Sequence, residues 1–517
     1  MEFNKRSRQA NALLASSSGV LLQAVQIFGN FIYRTIFLMF LSKEYLGING
    51  LFTNILQLFS LAELGIGSAI LYSMYKPFAE QDTNKISALI GFYKKIYNAL
   101  AILVVLMGLA FYPFIGSLVN TAELPPDINL AAVYFLFVIR SASSYLFVYK
   151  QSLLTADQQS HKISLFSCGL QIGSYCIKIL MLFLTRNFHL MLAADIGLSI
   201  LLNGAFSLWI THKYKSIFKN KVKLEKADKK NIFVHTYGLL CHKVGYIVVT
   251  GTDNIILSKF VSLVAVGIYS NYATLITAIT NVLTRVLGAL VPTIANYTLK
   301  KTKEESYGLF NRILFIDLWL SSLTTVCLYW LLNPFITLWL DESYLLPQGV
   351  VALICLQHYL QSARLTAGKF IDSCGLFHLD KVRPLIESAI NLTVSIVLAI
   401  RLGIVGVFIG TVVSGLLTYF WREPYLLHKH FFGRGMGRYW LTQLSWLTLT
   451  AAMCFGGELL LQHLGKDLLS FVVKMLAAAV IPNVLILLLT FRSENFRFLW
   501  NTLSRKLPFL RKFSKNS

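Results

Sequence analysis

Long apolar runs, separated by short polar corners, follow one another along this chain from residue 12 to residue 490. A run of about 20 apolar residues is long enough to cross the hydrocarbon core of a bilayer as a helix. The pattern therefore predicts an all-α integral membrane protein with about 14 transmembrane helices. The predicted spans are residues 12–41, 46–75, 97–119, 128–154, 163–185, 189–211, 232–258, 263–297, 307–340, 346–374, 384–400, 403–421, 440–463 and 470–490.

The distribution of lysine and arginine predicts the topology of these spans. The segments assigned to one side of the membrane hold 33 of them, and the segments assigned to the other side hold five. Cytoplasmic loops carry the excess of lysine and arginine, so we expect both termini in the cytoplasm. A net charge of +23 would by itself suggest a nucleic acid partner. Its distribution instead indicates membrane topology, and we expect no nucleic acid binding.

Composition and motifs narrow the function further. The chain is 56% hydrophobic and has a mean hydropathy of +0.61, which excludes a soluble protein with a polar surface. The seven cysteines are scattered without a CxxC motif, so we interpret them as core residues. The sequence contains no G-x-S-x-G, P-loop, H-E-x-x-H or G-x-G-x-x-G motif. We therefore expect no enzyme activity, no metal and no cofactor, and a proton or a sodium ion is the candidate coupling ion.

An internal echo suggests a repeated architecture. The corner Leu41-Ser42-Lys43 leads to a helix opening with Gly47-Ile48, and Leu257-Ser258-Lys259 leads to a helix opening with Gly267-Ile268. The first copy joins predicted spans one and two, and the second joins spans seven and eight, which is the offset that a six-helix repeat produces. The echo predicts two pseudo-repeated six-helix lobes followed by two C-terminal helices, since repeated halves around a central site are a common transporter plan.

A basic segment separates the predicted lobes. Eight lysines fall between residues 213 and 230, which is typical of a helix lying on anionic headgroups or of an ordinary inner loop. The predicted domains are an N-terminal lobe at 1–211, a basic cytoplasmic linker at 212–231, a C-terminal lobe at 232–425, two appended spans at 426–490 and a basic cytoplasmic tail at 491–517.

Charged residues inside the spans are the candidate functional residues, because an ionised group in hydrocarbon costs about 2.5–3.5 kcal/mol or more. Arginine presents a planar donor fork suited to phosphate oxygens, and lysine a point charge. The deepest cations predict a cavity that binds a phosphate or diphosphate, with buried structural ion pairs as the alternative. These cations are Arg34, Arg140, Lys243, Arg285 and Arg364. Three others, Lys178, Lys474 and Arg312, lie within snorkelling reach of an interface.

The span acids and one pair are candidates for gating or ion coupling. Glu63 and Asp253 are the deepest acids, and each could pair with a cavity arginine and be released when substrate arrives, or could bind a coupling proton or sodium ion. A permanent salt bridge is the alternative. Lys369 and Asp372 are three residues apart on one helix and could simply pair. The set of candidates is Glu63, Asp253, Asp317, Lys369 and Asp372.

Particular stretches carry a family resemblance. Residues 34–82, with YLGINGLF, LAELGIGSAI and YSMYKPFAEQD, resemble the polysaccharide transporter family. The members of that family are the Wzx-like O-antigen and capsule flippases of the multidrug/oligosaccharidyl-lipid/polysaccharide (MOP) flippase superfamily. Residues 252–257 and 266–272 resemble the seventh and eighth spans of the same family. Span count and the basic loop after span six extend the resemblance over nearly the whole chain.

The resemblance implies a MATE/MOP-like V of two six-helix lobes with two appended helices. It also implies export of a polyprenyl (undecaprenyl)-diphosphate-linked oligosaccharide across the bacterial cytoplasmic (inner) membrane by alternating access. The implied partners are that substrate and membrane lipids, with a glycan polymerase and a chain-length regulator as candidates. A lipid II flippase, a cation-coupled multidrug exporter and a multi-span glycan polymerase or ligase remain alternatives. The short outer loops disfavour the last of these.

Overall fold

The computed structural model describes residues 8–63, 66–120, 124–219, 222–225, 228–229, 232 and 251–506. Within those ranges the chain is helical and contains no β-strand, which confirms the all-α class. Contacts divide it into two compact units, Met1–Gly267 and Ile268–Ser517. The finer domain boundaries predicted from the sequence stay a prediction.

In the first unit, long helices pack side by side. The helices are α1 (Arg8–Phe40), α2 (Lys43–Phe59), α3 (Ile66–Ala79), α4 (Thr83–Leu118), α5 (Leu130–Ala156), α6 (Ser160–Thr185), α7 (Phe188–Lys213), α8 (Lys215–Lys219) and α9, whose described part is 251–260. Helix α1 packs along α6, α4 along α5, and α7 against both α5 and α6. The arrangement brings α1, α5, α6 and α7 together, and the candidate site lies among them.

Polar corner residues set where these helices begin. The Asp82 side chain accepts a hydrogen bond from the backbone N–H of Lys85 at 2.9 Å, at the start of α4. Asn129 does the same for Ala132 at 3.0 Å, at the start of α5. A side-chain acceptor at this position satisfies a donor that the first turn of a helix leaves unpaired. The short polar corners in the sequence therefore act as helix starts.

In the second unit, one long helix lies at the centre. The helices are α10 (Leu263–Gly288), α11 (Val291–Lys300), α12 (Lys303–Trp339), α13 (Gln348–Ala363), α14 (Leu365–Ser373), α15 (Arg383–Leu402), α16 (Ile404–Leu417), α17 (Tyr419–Leu427), α18 (Gly437–Leu461), α19 (Leu468–Thr490) and α20 (Glu494–Lys506). Helix α12 contacts α13, α14, α18, α19 and α20, and most of its apolar stretch is buried. The first turn of α10 belongs to the first unit.

Among the described residues, 11 helices are long and apolar enough to cross a membrane. Two further predicted spans are interrupted in the structure. The span 46–75 falls on α2 and α3, which are separated by the 3₁₀ turn Ser60–Glu63, and the span 346–374 falls on α13 and α14, which meet at Arg364. The predicted span 232–258 lies mostly outside the described residues. The exact number of 14 therefore stays a prediction.

Two glycines allow α2 and the first turn of α10 to cross with their backbones in contact. A Cβ atom at Gly47 would lie 2.2 Å from the backbone oxygen of Leu263, and one at Gly267 would lie 2.2 Å from the backbone oxygen of Lys43. Each glycine thus faces the carbonyl group four residues before the other glycine. These are the glycines of the internal echo, and only residues without a side chain permit this approach.

A second close approach joins α15 and α16. Gly406 and Gly410 are four residues apart on α16, the spacing of a G-x-x-x-G motif. A Cβ atom at Gly406 would lie 2.2 Å from the backbone oxygen of Leu398, and one at Gly410 would lie 2.2 Å from the Ser395 hydroxyl oxygen. The motif therefore brings the two helices into direct backbone contact.

We predict that Gly47→Ala destabilises the protein by about 1–3 kcal/mol, because the added methyl group overlaps a backbone carbonyl that has little freedom to move. Thermal unfolding of the detergent-solubilised protein measures the change. Gly197→Ala is the matched control, since a Cβ atom at that position in α7 meets nothing within 4 Å. Equal unfolding temperatures for the two variants would contradict the crossing described here.

Candidate functional site

A cavity of about 440 Å³ lies among five helices of the first unit, namely α1, α2, α5, α6 and α7. All of its lining residues except Leu170 and Leu192 carry a polar group. The polar lining residues are Gln26, Asn30, Tyr33, Asn49, Thr53, Arg140, Gln171, Ser174, Tyr175, Lys178, Asp195 and Ser199. The cavity is therefore a polar site enclosed by helices whose other faces are apolar.

Helical periodicity explains why so many polar groups meet here. On α6 the lining residues Gln171, Ser174 and Lys178 recur at helical spacing, so they share one face. Gln26 and Asn30 recur in the same way on α1, which packs along α6. A polar stripe on a membrane helix faces the protein interior or water, because lipid offers it no hydrogen-bonding partners.

One carboxylate and one guanidinium group form the charged side of the cavity. The Arg140 Nη1 atom lies 3.7 Å from Asp195 Oδ2, and the Ser174 hydroxyl donates a hydrogen bond to the other oxygen of Asp195. The Asp195 side chain is only 4% exposed, whereas that of Arg140 is 49% exposed. The carboxylate is thus held in place, while much of the guanidinium group remains accessible to a ligand.

The second cation of the cavity is Lys178, which lies over two tyrosine rings. Its Nζ atom is 4.2 Å from the ring centroid of Tyr33 and 4.9 Å from that of Tyr175, within the range of cation–π attraction. Gly29 makes room for this arrangement, because a Cβ atom there would lie 2.4 Å from the Tyr175 ring. The sequence suggested that Lys178 snorkels, but the structure places it in the cavity wall. The polar stripe on α6 could have indicated this position.

The chemistry of the cavity suits a ligand with many hydroxyl groups and an anionic group. Two cations face one carboxylate, so the fixed charge of the lining is positive. The amide groups of Asn and Gln both donate and accept hydrogen bonds, as do hydroxyl groups. Guanidinium and ammonium groups bind phosphate oxygens. A cavity for organic cations would need the opposite charge.

The structure describes two of the three predicted cavity cations of the first unit, and these two lie in different environments. Arg140 lines the cavity. Arg34 follows Tyr33 on α1 and is buried, with 8% of its surface exposed, but it is not one of the lining residues. Lys243 lies outside the described residues. Of the two predicted cations that the structure describes in this unit, Arg140 lines the cavity and Arg34 does not.

In the second unit, the two predicted cations differ from each other. Arg285 is exposed on α10. The Arg364 Nη1 atom lies 2.5 Å from Glu423 Oε1, and its Cζ atom lies 4.3 Å from the ring centroid of Tyr419. Arg383 also contacts Glu423, at 3.2 Å. Arg364 therefore has a structural ion-pair partner, which is the alternative that the sequence left open. Its role in substrate binding stays a prediction.

Arg364 belongs to a cluster of three arginines and three carboxylates. Arg383 is 2.7 Å from Asp380 and 2.6 Å from Glu387, and Arg422 is 3.7 Å from Asp380. The three positive and three negative charges of this set balance, so each charge has an opposite charge beside it within the cluster. Breaking a buried pair of this kind is strongly destabilising because it leaves an uncompensated charge.

The acids predicted to act in coupling also have partners. Glu63 lies in the 3₁₀ turn between α2 and α3, where the Tyr97 hydroxyl donates a hydrogen bond to it. Asp317 accepts hydrogen bonds from the backbone N–H and the hydroxyl of Thr366, at 2.8 Å and 2.7 Å. This carboxylate thereby stabilises the first turn of α14, where an anion is favourable. Coupling by either acid stays a prediction.

The remaining coupling candidates lie on α9 and α14. Asp253 is buried, with 7% of its surface exposed. The Lys369 Nζ atom lies 3.9 Å from Asp372 Oδ2, three residues along the same helix, as their spacing indicated. None of these contacts tests a role in gating.

Solved structures of membrane transporters share this fold. A structure titled lipid II flippase MurJ, in an inward closed conformation, superposes with a TM-score of 0.63 at 15% identity, covering 93% of this chain and 98% of that one. A mutant of the Vibrio cholerae MATE transporter VcmN gives a TM-score of 0.52 at 13% identity over 83% and 99% of the two chains. An inward-facing multidrug resistance MATE transporter of the MOP superfamily gives 0.53 at 13% identity over 80% and 99%. These similarities confirm the MOP-like fold expected from the sequence.

The family follows from a sequence comparison. A comparison with curated proteins finds no significant match. The model of the polysaccharide biosynthesis protein family matches residues 16–298, which is more than half of the chain. That range contains most of α1, all of the described helices from α2 to α10, and every residue of the polar cavity. This chain, a membrane protein with the fold of MOP-superfamily transporters, therefore belongs to the polysaccharide biosynthesis protein family.

Proposed function

We propose that this protein is a flippase that moves polyprenyl-diphosphate-linked oligosaccharide repeat units across the bacterial cytoplasmic membrane. The exported units would supply the assembly of a surface polysaccharide such as O-antigen, capsule or exopolysaccharide. Family membership supports the link to polysaccharide synthesis. The observation that carries the substrate class is the polar, positively charged cavity among α1, α2, α5, α6 and α7.

The cavity fits the part of the substrate that lipid cannot dissolve. Sugars and diphosphate lose their hydration when they enter a membrane, and an unpaired polar group there costs several kcal/mol, roughly 2–7. Amide and hydroxyl groups on four helices offer replacement hydrogen bonds, and Arg140 and Lys178 offer charge for a phosphate or an acidic sugar. The polyprenyl tail needs no such site, so in this proposal it stays in the bilayer while the polar part crosses inside the protein.

Transport by alternating access requires a source of energy, and we propose a proton or sodium gradient. Glu63 and Asp253 are the proposed gating or coupling residues of the first unit, and Asp317, Lys369 and Asp372 are those of the second. Lys243, Arg34, Arg285 and Arg364 are proposed to complete the path for the anionic substrate. A glycan polymerase and a chain-length regulator are the proposed functional partners.

Two other functions are compatible with the same fold, namely transport of lipid II and cation-coupled export of drugs. Lipid II also carries sugars on a polyprenyl diphosphate, and the similarity to the MurJ structure favours it as the second candidate. A cation-coupled multidrug exporter is less well supported, because the cavity sets two cations against one carboxylate. Like charges disfavour a cationic drug in such a site.

We predict that Arg140→Ala lowers the yield of surface polysaccharide about 10- to 100-fold, since a lost hydrogen bond to a charged group costs about 1.5–3 kcal/mol. The measurement is polysaccharide yield in cells that lack the chromosomal gene and carry the variant on a plasmid, normalised to protein level. Arg401→Ala is the matched control because Arg401 is exposed at the end of α15. An Arg140→Ala variant with normal yield would remove the cavity from the proposal.

We predict that Lys178→Ala gives a similar loss of polysaccharide without changing drug resistance, because Lys178 supplies the second charge of the cavity. Lys474→Ala is the control for removing a membrane lysine, since Lys474 contacts the backbone carbonyls of Leu464 and Gly465 at 3.3 Å instead of the cavity. Minimum inhibitory concentrations for cationic drugs measure the second readout. A selective loss of drug resistance would favour an exporter.

We expect the intact gene to restore surface polysaccharide in a strain without its flippase, and not to restore growth after depletion of the lipid II flippase. The reason is that the family match points to polysaccharide synthesis, whereas the likeness to MurJ is one of fold. Both experiments use the same plasmid and expression level. Rescue of growth would assign lipid II as the substrate.

A further inference from the structure

Two lysine side chains share one indole ring at one end of the first unit. The Nζ atoms of Lys162 and Lys213 lie 5.4 Å and 5.5 Å from the ring centroid of Trp209. Lys162 is in the first turn of α6 and Lys213 is the last residue of α7, so both mark the same end of an antiparallel helix pair. Trp209 is 41% exposed, so its ring is accessible from outside the unit.

The indole ring is held in a fixed orientation. It stacks on Phe206 with ring centroids 5.5 Å apart and an interplanar angle of 8°. Phe206 in turn stacks on Phe166 of α6 at 4.0 Å and 5°. Three nearly parallel rings therefore join α6 to α7 and preorganise the surface to which the two ammonium groups attach.

Neither ammonium group forms a salt bridge with a carboxylate within the described part of the chain. Lys213 donates a hydrogen bond to the side-chain oxygen of Gln159, which is uncharged. The nearby carboxylate of Asp157 instead accepts hydrogen bonds from the Tyr214 hydroxyl at 2.6 Å and from the Gln159 amide at 2.5 Å. Two cations held on one ring repel each other, and an anion placed between them relieves that repulsion.

The surface around Lys162 and Lys213 changes in polarity along the helices as a phospholipid does along its length. Leu165, Leu201 and Leu208 on α6 and α7 are 51%, 66% and 70% exposed. Exposed leucines on spanning helices face hydrocarbon, and tryptophan and lysine mark the boundary with water. The apolar side chains therefore correspond in position to the acyl chains of a phospholipid, the indole ring to its glycerol region, and the ammonium groups to its headgroup.

We propose that Lys162, Lys213 and Trp209 form a binding site for an anionic glycerophospholipid of the surrounding bilayer. The phosphodiester group lies between the two ammonium groups, which bind phosphate oxygens as point charges. The indole ring covers the glycerol region, and the acyl chains lie along the exposed leucines. The lysine-rich end of the unit is the one that the positive-inside rule assigns to the cytoplasmic leaflet. The site does not depend on which substrate the protein transports.

Native mass spectrometry of the purified full chain tests this site by titration with phosphatidylglycerol and with phosphatidylcholine. Each lysine near an anionic lipid surface is expected to contribute about a fivefold change in affinity. The double variant Lys162→Gln/Lys213→Gln should therefore bind its first phosphatidylglycerol about 25-fold more weakly, with unchanged binding of phosphatidylcholine. The matched control is Lys300→Gln/Lys303→Gln, which removes the same charge from two exposed positions. These lysines are not the ones that lie over the Trp209 ring, and exposed charges are screened by salt, so the affinity should change less than about twofold.

The charge-preserving variant Lys162→Arg/Lys213→Arg separates lost charge from lost structure, and it should retain phosphatidylglycerol binding. Equal affinities of the Lys162→Gln/Lys213→Gln variant and its control would overturn the site. A parallel loss of phosphatidylglycerol and phosphatidylcholine would also overturn it, because the charge would then not be the cause. If the double variant lost binding of undecaprenyl diphosphate but kept phosphatidylglycerol, the site would belong to the transported lipid and the phospholipid assignment would be wrong.

Discussion

A charge inside a membrane-spanning helix must be solvated by the protein or by water, and this constraint accounts for the polar interior of the molecule. The structure meets it in three ways. Arg364 is paired with a carboxylate, and Asp317 is bound to the first turn of a helix. Arg140, which also contacts Asp195, and Lys178 border an open cavity. Only the third arrangement leaves charge available to a ligand, which is why the cavity carries the functional argument.

Close packing of the helices is the second requirement, because lipid supplies no hydrophobic force to drive helices together. Gly47 and Gly267 allow one backbone crossing, and Gly406 and Gly410 allow another. Gly29 has a different effect, since it admits the Tyr175 ring against α1 beside the cavity. Small residues therefore serve both the packing of the fold and the shape of the site.

The polarity of the outer surface also matches the solvent that each part of it contacts. Helices α6 and α7 place Gln171, Ser174 and Asp195 in the cavity and exposed leucines on their outer faces. At their common end the stacked ring of Trp209 holds two ammonium groups at the boundary with water. One helix pair thus supplies a polar interior, an apolar exterior and a charged rim, each matched to a different solvent.

The sequence by itself determined the all-α membrane class, the approximate spans and the family resemblance, because apolar run length and short motifs are local properties. It also marked Arg140 and the glycines of the internal echo. The tertiary structure decided which charges are paired and which line a cavity. Glu423 is 59 residues from Arg364 along the chain, and the spacing of polar residues on one helix does not reveal which distant helix it faces. Lys178 shows the difference, since its depth along α6 suggested snorkelling, whereas contact with α1 makes it part of the site.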